Sequence, residues 1–149
     1  MLSRTAEYLY WISRYMERAE TTARLLDVGY RMSLFPNPSG YNNEWESVLS
    51  AAGAIEGYKN KYDTIEQKNV EDYLFFDESN PSSVYNCILN ARNNALVVRT
   101  SFTPESWLAI NKTYQEILNL KEKKFTKSDL PELTEWTIEQ VNLFRGSLS

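Results

Sequence analysis

The apolar residues at the start of the chain fall on one side of a helix. Leu2, Leu9, Ile12, Met16, Ala19, Ala23, Leu26 and Tyr30 are separated by seven, three, four, three, four, three and four residues. That is the spacing of an amphipathic helix packed against other helices. Tyr8, Trp11 and Tyr15 widen the stripe near its start, and Ala19 and Ala23 place two small side chains at mid-length, where a neighbouring helix can come close. The pattern predicts one helix over residues 3–34, stopped by the breaker cluster Phe35-Pro36-Asn37-Pro38-Ser39-Gly40.

Shorter helical patterns follow. A second helix is expected from Glu44 to Ala54, with Asn43 and Glu46 in a capping-box arrangement and Trp45, Val48, Leu49 and Ala52 on its apolar side. Gly53 and Gly57 mark its end, and residues 58–62 fit no single pattern. Asp63 with Glu66 offers a cap for a third helix through Val70, Tyr73 and Leu74 to Phe76. Asn80 as cap and Pro81 at the first helical position predict a fourth, running to Phe102 with Val84, Cys87, Ile88, Ala91, Ala95 and Val98 inward. Thr103-Pro104-Glu105 opens a fifth, with Trp107, Leu108, Ile110, Tyr114, Ile117 and Leu118 on its face. Asp129, Pro131 and Glu132 open a sixth carrying Leu133, Trp136, Val141 and Phe144. No window alternates strictly, and 149 residues include only 5 Gly and 5 Pro, few for the tight turns of a β-protein. The expected fold is therefore all-α: a single-domain bundle of five to six helices with a long N-terminal helix.

Charge and rare residues narrow the chemistry. The formal net charge is -4, and the one Lys-rich stretch, Lys121 to Lys127, is interrupted by Glu122, Phe125 and Thr126. It reads as a solvated helix end, so no nucleic-acid partner is expected. No apolar run approaches the ~20 residues that cross a bilayer, and Arg4, Glu7 and Arg14 interrupt any signal-peptide core, so no membrane partner and a cytoplasmic location are expected. The chain has no His, which removes the usual general base, metal ligand and pH switch together. Di-metal sites in helical bundles rest on Glu-x-x-His pairs, absent here, so no metal and no cofactor are expected. The single Cys87 lies on an apolar helix face and reads as a core residue, and there is no Gly-rich phosphate loop or Gly-x-Ser-x-Gly elbow. No catalytic residue is assigned.

The densest polar information runs from Arg14 to Arg31 beside the apolar seam. Glu20 and Arg24 are four apart, as are Asp27 and Arg31, each acid preceding its base, an arrangement worth about 0.2–0.5 kcal/mol per pair. Arg14 and Glu17 can meet across one turn. Composition alone makes this a solvated, salt-bridged face. Two features point to binding instead: Glu17 and Glu20 flank the seam, where a packed helix could bury them, and the row abuts Trp11 and Tyr15. Arg14, Arg18 and Arg24 also suit a bidentate grip on a carboxylate or phosphate.

The first block, Met1-Leu-Ser-Arg-Thr-Ala-Glu7 with Leu9-Tyr-Trp-Ile-Ser-Arg-Tyr-Met-Glu-Arg-Ala-Glu-Thr-Thr-Ala-Arg-Leu-Leu-Asp27, closely resembles the opening of the bacterial alpha-E domain family. Two later blocks match in the same order: Asn80-Pro-Ser-Ser followed by Ala91-Arg92 and Asn94, and the closing Leu143-Phe144-Arg145-Gly146. The resemblance implies a helical domain named for a Glu-Arg motif, which falls here on Glu17-Arg18. It implies tandem duplication and genes beside ATP-grasp ligase-like proteins, transglutaminase-like proteins and an N-terminal-nucleophile peptidase, in a peptide synthesis or modification system. It implies no established catalytic activity for the domain itself. This chain holds one such helix, ends three residues after Gly146, and has Asn93 and Leu96 where the family tends to have Glu and Arg. It resembles the N-terminal unit alone, so a site built between two units would be absent or would need a homodimer. The candidate binding or interface residues are Arg14, Glu17, Arg18, Glu20, Arg24 and Arg92. Three roles stand side by side: an accessory interaction domain of that system, with an ATP-grasp-like or transglutaminase-like partner; a ligase or transferase subunit using Glu17, Glu20 and Arg18; and a self-associating half-bundle.

Overall fold

The computed structural model describes residues 2–35, 43–123 and 129–148. Seven α-helices occur among them: α1 (Leu2–Ser33), α2 (Asn43–Ala51), α3 (Ile55–Lys61), α4 (Gln67–Phe75), α5 (Val84–Val97), α6 (Pro104–Lys123) and α7 (Leu130–Ser147). A 3-10 turn, Arg99–Ser101, separates α5 from α6, and the described residues contain no strand.

The bundle is organised around α1. Ile12, Met16, Ala19, Ala23 and Leu26, the middle of its apolar seam, are all fully or almost fully buried. Its main neighbours are α5 and α7, with α2 over its C-terminal half. Ile12 and Met16 meet Ala91, Ala95 and Val98 of α5 and its end, Ile110 of α6, and Val141 and Phe144 of α7. Ala19, Ala23 and Leu26 belong to a larger cluster with Trp45, Leu49, Tyr58, Leu74 and Ile88. Each large side chain so buried stabilises the fold by roughly 1.5–3 kcal/mol over an exposed one. The small pair does what its size suggested: Thr134 of α7 reaches the α1 backbone and donates from Oγ1 to the Ala23 carbonyl at 3.2 Å.

A second close approach is carried by Gly29. It lies buried within α1, and a Cβ there would sit 2.7 Å from Trp45 Cζ3 and 2.8 Å from Val48 Cγ2. Those atoms belong to α2, so the missing side chain lets the α2 indole come up against α1.

Several boundaries differ from the sequence pattern, each for a local reason. The stretch 58–62 falls within and just after α3, and α4 begins at Gln67, so the Asp63/Glu66 cap does not form. The Tyr58 hydroxyl donates to the Thr64 carbonyl at 2.7 Å and accepts from the Glu66 N–H at 3.3 Å, holding the connection extended. The strong start signal at Asn80-Pro81 precedes α5 by a turn. Ser83 is the actual cap, its Oγ accepting from Asn86 N at 3.1 Å. Asn80 is buried and closes the turn instead, donating to the Tyr73 carbonyl at 2.9 Å and accepting from Ser82 N at 3.1 Å. The end expected at Phe102 comes too late, since α5 stops at Val97 and a 3-10 turn follows. In α6, Thr103 caps as expected, accepting from Ser106 N at 3.1 Å, but Leu108 is exposed. The inward face is Ser106, Ile110, Thr113 and Ile117, because Ser106 and Thr113 find partners on α7 in the Ser147 carbonyl and Gln140 Oε1, both at 3.0 Å. The side chain of Asn43 and the second half of the Lys121–Lys127 run lie outside the described residues.

Gly29→Ala is expected to lower stability by about 1–3 kcal/mol in urea unfolding, because Trp45 and Val48 must shift to admit the methyl. Gly146→Ala, also in a helix but with open space at its Cβ, should be neutral or stabilising by up to about 1 kcal/mol.

Candidate functional site

The polar row of α1 does not form one face; the helix distributes it over three directions. Glu20 lies next to Ala19 and one turn from Ala23, at the edge of the buried seam, and its side chain is only 12% exposed. Its Oε2 accepts from Arg24 Nε and its Oε1 from Arg145 Nη1, each at 2.8 Å. This carboxylate therefore joins α1 to the last turns of α7. Burial pushes the carboxyl upward, and the hydrogen bonds and charges of Arg24 and Arg145 together outweigh that and hold it below its usual range.

The opposite flank carries Arg18. Its Nη2 donates to Ser82 Oγ at 2.6 Å, joining α1 to the turn that leads into α5. Beneath this contact Cys87 is buried, with Sγ 3.8 Å from the Ser82 carbonyl. Burial pushes the thiol up to about 11, against the opposing charge of Arg18, so it stays protonated near neutral pH and serves as core, as its apolar setting suggested.

Glu17 points away from both neighbours. Its side chain is 55% exposed, with Arg14 at 3.6 Å as its ion-pair partner. The expectation that Glu17 and Glu20 would both be covered holds for Glu20 alone, because only Glu20 falls beside the alanines that centre the seam. Asp27 and Arg31 pair at 2.9 Å. Arg92 sits elsewhere, at the junction of α5 and α6, donating from Nε to Asn111 Oδ1 at 3.3 Å with its guanidinium 4.9 Å from the Tyr114 ring centre. The six candidates thus occupy separate places. Glu17, Glu20 and Arg18 do not converge on one pocket, the condition that a Glu/Arg reaction site on α1 requires.

Two partners, Ser82 and Arg145, were not singled out as site residues. Both lie in the later matching blocks, and each is a polar residue whose contact is remote in sequence, 64 and 125 positions away. No group of three or more His, Cys, Asp or Glu among the described residues is placed to hold a metal ion, and none of the described helices is long and apolar enough to cross a membrane.

Glu20→Gln is expected to cost about 1 kcal/mol at neutral pH and low salt, less at high salt. The folded carboxyl titrates below the unfolded one, whose ordinary value is 4.5. Its contribution is therefore complete above that value and is lost as pH falls through the lower, folded value. Urea unfolding of wild type and Glu20→Gln should converge as the pH drops below 4.5, and Arg145→Ala should remove part of the same pH-dependent difference.

A family model described as a predicted alpha-helical domain with a conserved ER motif matches residues 1–149. No curated protein and no solved structure matches the chain. Glu17-Arg18 is the one Glu-Arg dipeptide in the sequence, and on α1 it places Arg18 on the flank tied to Ser82 and Glu17 at the exposed surface. The chain belongs to the Alpha-E family.

Proposed function

We propose that this Alpha-E domain is an accessory, interacting component of an ATP-grasp- and transglutaminase-associated peptide synthesis or modification system, with Glu17-Arg18 at the centre of its contact surface. One observation carries the reading: the dipeptide is presented at the surface instead of being consumed in the core. Glu17 is exposed, and Arg18, also exposed, makes one hydrogen bond to a neutral hydroxyl and has no carboxylate partner among the described residues. A guanidinium with unused donors can take a carboxylate or phosphate bidentately. Tyr10 and Trp11 lie on the same exposed side with ring centres 5.3 Å apart. Tyr, Trp and Arg are the residue types that dominate binding energy at protein interfaces. The partner implied is the ligase-like or transglutaminase-like protein of the same system.

The test is recovery of the neighbouring ligase-like protein on immobilised wild type and on Glu17→Ala/Arg18→Ala. At least a tenfold loss is expected, with the variant's helical circular dichroism unchanged. Equal recovery removes the interface role from this dipeptide.

A further inference from the structure

Opposite its buried seam, α1 carries a second line with helix-packing spacing. Tyr10, Arg14, Glu17, Thr21, Arg24, Val28 and Met32 are separated by four, three, four, three, four and four residues, and all are exposed. Its apolar members are open to solvent: Tyr10 is 56% exposed, Val28 50% and Met32 53%. α1 thus has one more packing face than the fold covers.

This line is complementary to itself when reversed. Thr21 stands at its centre, with Arg14 and Val28 each seven residues away and Tyr10 and Met32 each eleven. Two copies of α1 laid antiparallel about a two-fold axis at Thr21 bring the Tyr10 ring onto the Met32 thioether of the other copy, a favourable sulfur–aromatic contact. The Arg14 stem lies along Val28. Glu17 comes within a turn of Arg24 in the other copy, adding an opposite charge at the middle of the line. Arg18 lies on the other flank of α1, bound to Ser82 in the turn before α5, and does not meet that Arg24. A parallel arrangement would instead set Arg14 on Arg14, Glu17 on Glu17 and Arg24 on Arg24. Charge therefore selects the antiparallel pairing.

We infer that a second copy of this chain covers the outward line of α1, antiparallel and with its two-fold axis at Thr21. Every contact then occurs twice, as an isologous interface requires. The inference rests on the reading of α1 as a contact surface and names one occupant of it.

The experiment uses the full chain in sedimentation and disulfide trapping. Wild type should form a dimer at high micromolar concentration, and Val28→Arg should weaken it at least tenfold. Under mild oxidation Thr21→Cys should cross-link with itself, whereas Arg14→Cys should not, its two copies lying roughly 20 Å apart in the antiparallel pair. Arg14→Cys with Val28→Cys in one chain should cross-link again. The thiol of Cys87 is buried and gives no background. Cross-linking of both single variants would mean a parallel pairing and overturn the inference, as would a dimer in which Thr21→Cys does not cross-link. A monomeric chain that still recovers the ligase-like protein through Glu17 and Arg18 overturns the dimer alone and leaves the contact surface intact.

Discussion

Everything in this fold leans on the burial of a single line of side chains on α1. Ile12, Met16, Ala19, Ala23 and Leu26 have almost no exposed surface, and the helices that cover them come from the middle and the end of the chain. The line is graded in size. Bulky residues near the start fill the space between α1, α5 and α7, while alanines at mid-length let α7 come close enough for Thr134 to bond the α1 backbone. Beyond Leu26, Gly29 gives a second close approach and admits the Trp45 ring of α2. The size sequence along one helix therefore sets how far each neighbour stands from it.

Polar contacts at the edges of that line fix which neighbour goes where. Glu20 ties one flank to Arg145 at the end of α7, and Arg18 ties the other to Ser82 before α5. Apolar packing tolerates small sliding of one helix past another, whereas a hydrogen bond between specific atoms does not. Exposed pairs such as Arg14 with Glu17 contribute little to stability. The Glu-Arg dipeptide thus combines one residue that helps dock α5 with one whose partner, Arg14, lies on the same helix.

A third set of polar groups organises the connection between α3 and α5. Asp77 is buried and accepts from the backbone and hydroxyl of Ser79 and from Lys61. Burial pushes its carboxyl up, and these hydrogen bonds with the Lys61 charge outweigh that and lower it. Tyr58 stacks on Tyr62 and meets Tyr73 edge-on beside it. Together with Asn80 this network holds the turn that presents Ser82 to Arg18, so the α1–α5 tie depends on residues well removed from either helix.

The sequence by itself determined the all-α class, the length of α1 and its buried seam, because a 3.6-residue period in side-chain polarity leaves few other ways to remove those residues from water. It also determined the local ion pairs of α1, since residues three or four apart on a helix are neighbours whatever else the chain does. Only the tertiary structure decided that Glu20 is covered and Glu17 is not, that Ser83 and not Asn80 caps α5, and that Ser106 and Thr113 turn inward while Leu108 faces solvent. The common reason is that a polar side chain goes where its partner is. Ser82, Arg145, Gln140 and the Tyr73 carbonyl are supplied by segments that folding, and not sequence proximity, brings alongside.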